Sequence, residues 1–321
     1  MNPLGWAKAT TASSRSPRGR AAGRAIAATA ALSLAGLLGA VVGAAPAAEV
    51  QPEGAPLDRA GLVATFSDDF AGFSWYAEGL PGAPHGGGTW RTNFGYAGVQ
   101  DIGSRTLGSN GEMQIYVDRG FRGAASEPLG IDPFRITKSG LEIVADRASD
   151  EIKPYIWNYP YTSGLITTQR SFSQLYGVFE MRARVPRGKG LWPAFWLLPT
   201  NRSWPPEIDV FEILGADPTV LHTNAHSKAS GKHTDAPSVI PIADASADFH
   251  TYAVDWEADE IIWYFDGVEV ARKPTPADMH TPMYILANLA VGGYWPGSPD
   301  ASVHFPAILA IQWIRAYRRA M

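Results

Sequence analysis

Three carboxylates lie within six consecutive positions of a short, otherwise apolar stretch. Glu207, Asp209 and Glu212 lie in S-W-P-P-E-I-D-V-F-E, which runs from 203 to 212. Two carboxyl groups about 5–5.5 Å apart can cleave a glycosidic bond with retention, one as nucleophile and the other as general acid/base. A carboxylate between them can hydrogen-bond to one partner and raise the pKa of the acid. The alternative is a solvated polar face on which three acids repel weakly.

All three acidic side chains can lie on the same face of a strand only if the strand is irregular. The apolar residues between them favour a β-strand, and Pro205-Pro206 limits where it can begin. Alternation of side chains places Glu207 and Asp209 on one face and Glu212 on the other, apolar face. An unpaired carboxylate buried there would cost several kcal/mol. A β-bulge near Val210-Phe211 is therefore predicted, since one extra residue returns Glu212 to the polar face.

The chain around this strand predicts an all-β domain. Its 33 glycines and 25 prolines separate short apolar runs, and no segment past residue 48 has the pattern of a long amphipathic helix. Such a pattern is typical of a β-sandwich or jelly roll. Asp266-Gly267, between two apolar runs, predicts a type I′ hairpin. With no internal repeat and no break in composition, 63–321 is predicted to be one domain.

The N-terminal part has the pattern of a targeting segment. Residues 1–24 carry five basic and no acidic side chains, 25–45 are apolar, and Ala45-Pro46-Ala47 offers a small-x-small site. This pattern predicts a secretory signal peptide over 1–47, hence a secreted or periplasmic protein with no membrane contact after cleavage. An uncleaved anchor is the alternative, because the run approaches ~20 residues. Residues 48–62 are predicted to be a linker.

Composition excludes several classes of function. The 321 residues contain no cysteine, which excludes disulfides, thiolate metal sites and a cysteine nucleophile. Removing the five basic residues of the signal segment shifts the formal net charge from −4 to −9. A chain this acidic is a poor ligand for nucleic acid or for an anionic membrane.

Several motifs, in order along the chain, together resemble glycoside hydrolase family 16, the laminarinase and lichenase family. They span about 65 to 318 and include N-G-E-M-Q-I-Y, Y-G-V-F-E-M-R-A-R-V, W-P-P-E-I-D-V-F-E, H-T-Y-A-V-D-W, W-Y-F-D-G and N-L-A-V-G-G-Y-W-P-G. The spacing E-x-D-x-x-E matches the bulged subgroup, whereas lichenases of the other subgroup have one residue fewer. The segments S-W-P-P-E-I-D-V, T-W-R-T-N-F-G-Y and D-M-H-T-P-M-Y look closest to secreted bacterial endo-β-1,3-1,4-glycanases that trim succinoglycan-type exopolysaccharide.

The resemblance implies a curved, concanavalin A-like jelly roll whose concave face holds a substrate cleft. It implies endo-acting, retaining hydrolysis of β-1,3 or β-1,3-1,4 linkages in a polysaccharide, and we expect a monomer. Glu207 would be the nucleophile, Asp209 its assisting carboxylate and Glu212 the acid/base. A non-catalytic carbohydrate-binding jelly roll and a transglycosylase on the same scaffold are the alternatives.

Five further residues are candidates for substrate binding: Trp192, Trp196, His226, Asn288 and Trp295. Indole rings stack on the flat C–H faces of sugars, and two tryptophans four apart on a strand face the same side. Trp295 belongs to a loop, and the family places a histidine at His226. Asn288 is a polar residue in an apolar strand and needs partners. The alternatives are core packing for the tryptophans, a structural histidine, and a backbone bond for Asn288.

Other motif residues have structural predictions or none. Trp263 and Trp313 lie in apolar strands and are predicted to belong to the core. Glu112 has no clear chemical role, and Glu180 is expected to pair with Arg182 or Arg184 across a sheet.

No cofactor is expected. Many members of the family that this chain resembles bind a structural calcium through an aspartate in the last strand, where this chain has Gln312. A neutral amide is a weaker ligand for a hard cation than a carboxylate, so a structural calcium is doubtful.

Overall fold

A computed structural model describes residues 54–78 and 87–320. The predicted signal peptide and the first residues of the predicted linker lie outside these ranges. Within them, no helix has the length and apolar character needed to cross a membrane.

The described chain is built almost entirely of strands, as predicted, with three short 3₁₀ helices at Ile102–Ser104, Gly108–Asn110 and Lys153–Ile156. The strands are β1 (Leu62–Asp68), β2 (Gln114–Tyr116), β3 (Phe134–Thr137), β4 (Gly140–Arg147), β5 (Tyr161–Ser163), β6 (Leu165–Thr167), β7 (Gly177–Arg184), β8 (Leu191–Pro199), β9 (Glu207–Glu212), β10 (Val220–Ser227), β11 (Thr234–Asp235), β12 (Ser238–Pro241), β13 (His250–Trp256), β14 (Glu260–Phe265), β15 (Val268–Pro274), β16 (Met283–Val291) and β17 (Ala307–Arg319).

The strands form two sheets. The larger has ten strands in the order β15-β14-β13-β7-β17-β4-β5-β2, with β1 paired to β17 and β3 to β4. The smaller has seven strands in the order β11-β10-β9-β8-β16-β6, with β12 paired to β10. This confirms the prediction of a β-sandwich. The acid strand β9 lies inside the smaller sheet, between β8 and β10.

Side-chain alternation divides the smaller sheet into a core face and an open face. On β8 the odd-numbered Phe195 and Leu197 join the core between the sheets, as Ile285 and Leu289 do on β16. The even-numbered side chains of the same strands point away from that core and support the site described below. Because successive side chains of a strand point to opposite faces, each of these strands contributes alternate residues to the core and to the open face.

The predicted hairpin is confirmed. Asp266 and Gly267 join β14 to β15, and both have positive φ, at 48° and 78°. A type I′ turn requires positive φ at both central residues, and Asp-Gly meets that requirement at low cost.

The described part of the predicted linker is packed against the domain. Leu57 is buried, and its amide donates to the carbonyl of Gly267 at 2.8 Å. Arg59 forms an ion pair with the buried Glu180 at 2.5 Å. The expectation that Glu180 pairs with Arg182 or Arg184 is therefore wrong, because the partner of Glu180 is Arg59, a residue of the N-terminal segment.

The two tryptophans predicted to be core residues differ. Trp263 is fully buried between the sheets. Trp313 is only half-buried, and the guanidinium carbon of Arg315 lies 4.3 Å above its ring. The prediction for Trp313 is wrong, since a β-bulge between Ile311 and Trp313 breaks the alternation of β17 against β7.

Candidate active site

The predicted bulge in β9 is present at Val210-Phe211. Against β8, Asp209 pairs with Trp196 and Phe211 with Phe195, which leaves Val210 without a partner on that strand. On β10, the single residue Thr223 lies opposite both Val210 and Phe211. Val210 and Phe211 both join the core. The irregularity therefore turns two consecutive side chains inward and returns Glu212 to the open face.

The three acids consequently line one cavity. Glu207, Asp209 and Glu212 share it with Trp192, Trp196, Asn288, Glu112, Asn110, Leu107, Ala194 and Ala290. Glu207 and Asp209 are 2% and 3% exposed, whereas Glu212 is half-buried. Two acids are thus almost withdrawn from water, and the third is more open to solvent.

Side chains of β8 and β16 form hydrogen bonds along the wall of this cavity. Trp192 donates to Glu212 Oε1 at 3.0 Å, and Trp196 donates to Asn288 Oδ1 at 2.8 Å. Asn288 in turn donates to the hydroxyl of Tyr116 at 2.9 Å. The amide of Asn288 thus bonds to side chains, so the alternative of a backbone bond to a neighbouring strand is not what the structure shows.

Trp295 lies beside the cavity without lining it. Its ring meets Trp192 edge-on at 5.3 Å and His222 edge-on at 4.9 Å between centroids. Since Trp192 contacts Glu212, this places an aromatic loop residue near the Glu212 end of the carboxylate row formed by Glu207, Asp209 and Glu212.

His226 packs against the two buried acids. Its Nε2 lies 3.2 Å from Asp209 Oδ2 and 3.7 Å from Glu207 Oε1. Its Nδ1 lies 3.0 Å from His233 Nε2. Burial lowers the pKa of His226, but the hydrogen bond to Asp209 and the charges of Asp209, Glu207 and Glu212 outweigh it, raising that pKa to about 9. A protonated His226 therefore balances part of the negative charge.

The surroundings of Glu207 favour its neutral form. Burial raises the pKa of Glu207 well above 4.5, and the charge of Asp209 raises it further, while His226 opposes the rise. The indole N–H of Trp204 also favours the carboxylate form, donating to Glu207 Oε2 at 3.1 Å. The neighbours that can keep Glu207 ionised are thus Trp204 and His226.

Glu207, Asp209 and His226 also form the one group of three or more such residues in the described ranges whose ligand atoms lie close enough together to share a metal ion. One ligand atom of each lies within 4.8 Å of the others. A histidine must be neutral to bind a metal. The raised pKa of His226 therefore favours a proton over a metal ion at neutral pH.

Two site residues were not identified as such from the sequence. Trp204 precedes the acid strand beside the two prolines, and no periodicity marks it. Glu112 accepts from the side chains of Asn110 at 3.1 Å and Gln114 at 2.6 Å and from the backbone of Leu107 at 3.3 Å. Such a set of donors stabilises an ionised carboxylate in the cavity. The only signal for Glu112 was its place in the N-G-E-M-Q-I-Y motif.

Replacing His226 should change how stability depends on pH. An unfolded histidine titrates near pH 6.5, whereas folded His226 titrates at about 9. Its stabilisation is complete below pH 6.5 and is lost as pH rises through 9, because the folded state then holds a proton that the unfolded chain has released. Urea unfolding should show a stability difference between wild type and His226→Gln that shrinks by about 2–3 kcal/mol from pH 6 to pH 9.5.

The control for this measurement is His304→Gln, at an exposed position outside the site. A difference for His226→Gln that is the same at both pH values would contradict the ion-pair assignment.

The bulge is secured from the opposite sheet. The indole N–H of Trp263 on β14 donates to the backbone carbonyl of Asp209 at 2.8 Å. That carbonyl stands at the irregular point of the ladder, and leaving it unpaired in the core is unfavourable. Trp263→Phe should therefore lower the free energy of unfolding by about 1–2 kcal/mol more than a volume-matched control, and it should also lower kcat.

Trp256→Phe is that control. Trp256 is equally buried, and its indole N–H has no hydrogen-bond partner among the described residues. Equal losses in the two variants, measured by urea unfolding, would show that Trp263 acts by packing alone.

Comparison with known proteins agrees with this architecture. The model for "Glycosyl hydrolases family 16" matches residues 130–315. The chain is 43% identical over 261 residues to the endo-1,3-1,4-beta-glycanase ExsH of Rhizobium meliloti, covering 81% of this chain and 53% of that protein. It is 33% identical to a beta-glucanase of Rhodothermus marinus, covering 74% of this chain and 86% of that protein. The chain thus spans about half the length of the Rhizobium relatives.

A solved structure confirms the fold. The laminarinase catalytic domain of Thermotoga maritima superposes with a TM-score of 0.63 at 29% identity, covering 81% of this chain and 99% of that one. The jelly-roll fold expected from the motifs is therefore confirmed.

Proposed function

The chain belongs to glycoside hydrolase family 16, and on that premise we propose that it is an endo-acting, retaining β-glucan hydrolase. The observation that carries the proposal is the bulge in β9, which places Glu207, Asp209 and Glu212 on one cavity wall. Relatives named as endo-1,3-1,4-beta-glycanase and laminarinase support β-1,3 or mixed β-1,3-1,4 linkages as the target.

In the proposed mechanism Glu207 attacks the anomeric carbon and forms a glycosyl-enzyme, while Glu212 protonates the departing glycosidic oxygen. Water then attacks the glycosyl-enzyme with Glu212 as base, which releases Glu207. Protonated His226 and the N–H of Trp204 favour the anionic form of Glu207 that the attack requires, and they oppose the effect of burial on its pKa. Trp192 holds the carboxyl of Glu212 from the side. The half-buried position of Glu212 gives water access for the second step.

The test is incubation of the purified protein with laminarin, mixed-linkage β-glucan and succinoglycan. Internal cleavage of at least one should give a rapid fall in polymer size, and NMR of the first product should show a β-anomeric reducing end. A protein that binds these polymers without cleaving them would be a carbohydrate-binding jelly roll, which overturns the proposal. Transfer to a labelled acceptor sugar, in preference to water, would identify a transglycosylase.

We propose that no structural calcium is bound at Gln312. The residues present do not fit one, because Gln312 Oε1 accepts from Arg182 Nε at 2.6 Å and a guanidinium at that oxygen repels a cation. Excess EDTA and added calcium should both leave Tm unchanged. A rise of several degrees with calcium would contradict this, since ligand binding to the folded state stabilises it.

We also propose that the protein is exported and acts as a monomer on extracellular polysaccharide. The basic and apolar pattern of 1–47 supports export. N-terminal sequencing of protein recovered from culture medium should give a start near residue 48, and light scattering should give the mass of one chain.

A further inference from the structure

A second cavity, the arginine cavity, lies on the open face of the smaller sheet and has no part in the proposed bond cleavage. Its volume is about 400 Å³. The residues that matter to its chemistry are Arg91, Gly95, Gln169, Arg170, Arg202 and Tyr284. Three guanidinium groups around one cavity make it a concentrated positive site in a chain whose net charge is negative.

The positive charge of the arginine cavity is only partly balanced. Glu78 pairs with both Arg91, at 2.8 Å, and Arg170, at 2.6 Å. Arg202 forms no ion pair with a carboxylate of the described residues, and it donates instead to the backbone carbonyl of Gly95. The sequence of 79–86, which follows Glu78, contains no acid. Among the residues that the structure describes, one carboxylate therefore pairs with arginines of this cavity, which has three.

Buried contacts hold one arginine of this cavity in a fixed position. Arg91 is 6% exposed, and its Nη1 donates to Gln169 Oε1 at 2.7 Å, which fixes the guanidinium plane. Gly95 has a φ of +67°, and a Cβ there would lie 1.7 Å from Arg91 Nη1. Only a residue without a side chain can both take this φ and leave room for the guanidinium.

The arginine cavity lies along the same face as the catalytic residues. Tyr284 and Asn288 are both even-numbered positions of β16, so they face the same side about 13 Å apart. Asn288 lines the cavity that contains Glu207, Asp209 and Glu212, and Tyr284 lines the arginine cavity. Arg202 stands two residues before Trp204, which bonds to Glu207. A polymer bound across Glu207 can thus reach the arginines a few sugar units away.

We propose, on the basis of the proposed function, that the arginine cavity binds an anionic substituent of the polysaccharide, a carboxylate or a sulfate ester. The fork of a guanidinium matches the paired oxygens of such groups. The preferred substrate is then an acidic β-glycan rather than a neutral one. The cavity selects where along the chain cleavage occurs, because the substituent must lie at a fixed distance from the scissile bond.

The test compares three soluble β-1,3-glucans of equal chain length: unmodified, lightly carboxymethylated and lightly sulfated. Wild type should show kcat/KM about tenfold higher on at least one charged glucan than on the neutral one, and added salt should weaken the preference. Which charged glucan is preferred identifies the substituent. Arg202→Met and Arg170→Met, both at exposed positions, should each reduce the charged-to-neutral ratio about fivefold or more.

Arg318→Met is the matched control, because it removes the same charge from an exposed position on β17 of the other sheet. The proposal is overturned if wild type shows no preference, if both cavity variants keep it, or if Arg318→Met loses it equally. Affinity electrophoresis of the same glucans with Glu207→Gln separates this inference from the proposed function. Retention that depends on Arg202 supports the arginine cavity even if wild type cleaves none of the three.

Discussion

Glu207→Gln should lower kcat on the preferred polysaccharide by at least about 10⁴-fold, because it removes the group that forms the covalent intermediate. The fold should persist, since the amide has the same shape as the carboxyl. Removing an ionisable group whose pKa burial raises well above 4.5 also relieves the cost of burying its charge. Steady-state kinetics and thermal unfolding together measure both effects.

Chemical rescue assigns the role of Glu207 specifically. In Glu207→Ala, azide can enter from the nucleophile side and displace the leaving group of an activated aryl β-glucoside in a single inversion. The expected product is an α-glycosyl azide. Glu142→Gln, on β4 of the other sheet, is the control and should keep the wild-type rate. Near-wild-type kcat in Glu207→Gln would remove Glu207 from the mechanism.

Glu212→Ala should give a loss that depends on the leaving group. On polysaccharide, kcat should fall by about 10²–10⁴-fold, the usual contribution of general acid/base catalysis. On an aryl glucoside that departs without protonation, the first step should keep most of its rate and a burst of phenolate should appear, because the second step lacks its base. The burst amplitude at known enzyme concentration measures the accumulated glycosyl-enzyme.

Azide again separates the two acids. In Glu212→Ala the nucleophile Glu207 is intact, so azide intercepts the glycosyl-enzyme and the product is a β-glycosyl azide after two inversions. If Glu212→Ala gave the α-azide and Glu207→Ala the β-azide, the roles of the two residues would be exchanged. An equal loss on all leaving groups would mean that Glu212 does not donate the proton.

The placement of Glu207, Asp209 and Glu212 on one face could be predicted from the sequence because it depends only on residues close together in the chain. The apolar residues between Glu207 and Glu212 specify a strand, and the cost of burying Glu212 demands the extra residue. The Asp266-Gly267 turn is local for the same reason, since its φ requirement is carried by two residues.

The supporting contacts could not be predicted because they join distant parts of the chain. The Trp263 indole reaches the Asp209 carbonyl from the opposite sheet, and Arg59 reaches Glu180 from 121 positions away. Strand order decides which of these residues meet, and periodicity does not specify strand order. Trp313 shows the same limit within one strand, since a bulge that no residue type signals changes the face of its side chain.

The extra residue Val210 also bears on how this enzyme class tolerates insertions and deletions. Between the partners of Asp209 and Glu212, β8 and β10 each have one intervening residue, whereas β9 has two. A homologue that lacked Val210 would advance in step with both neighbours, and strict alternation would leave its final glutamate on the same side as the other two acids. On this geometry, deletion of the single codon for Val210 would leave all three acids on one face of β9, as the longer spacing does.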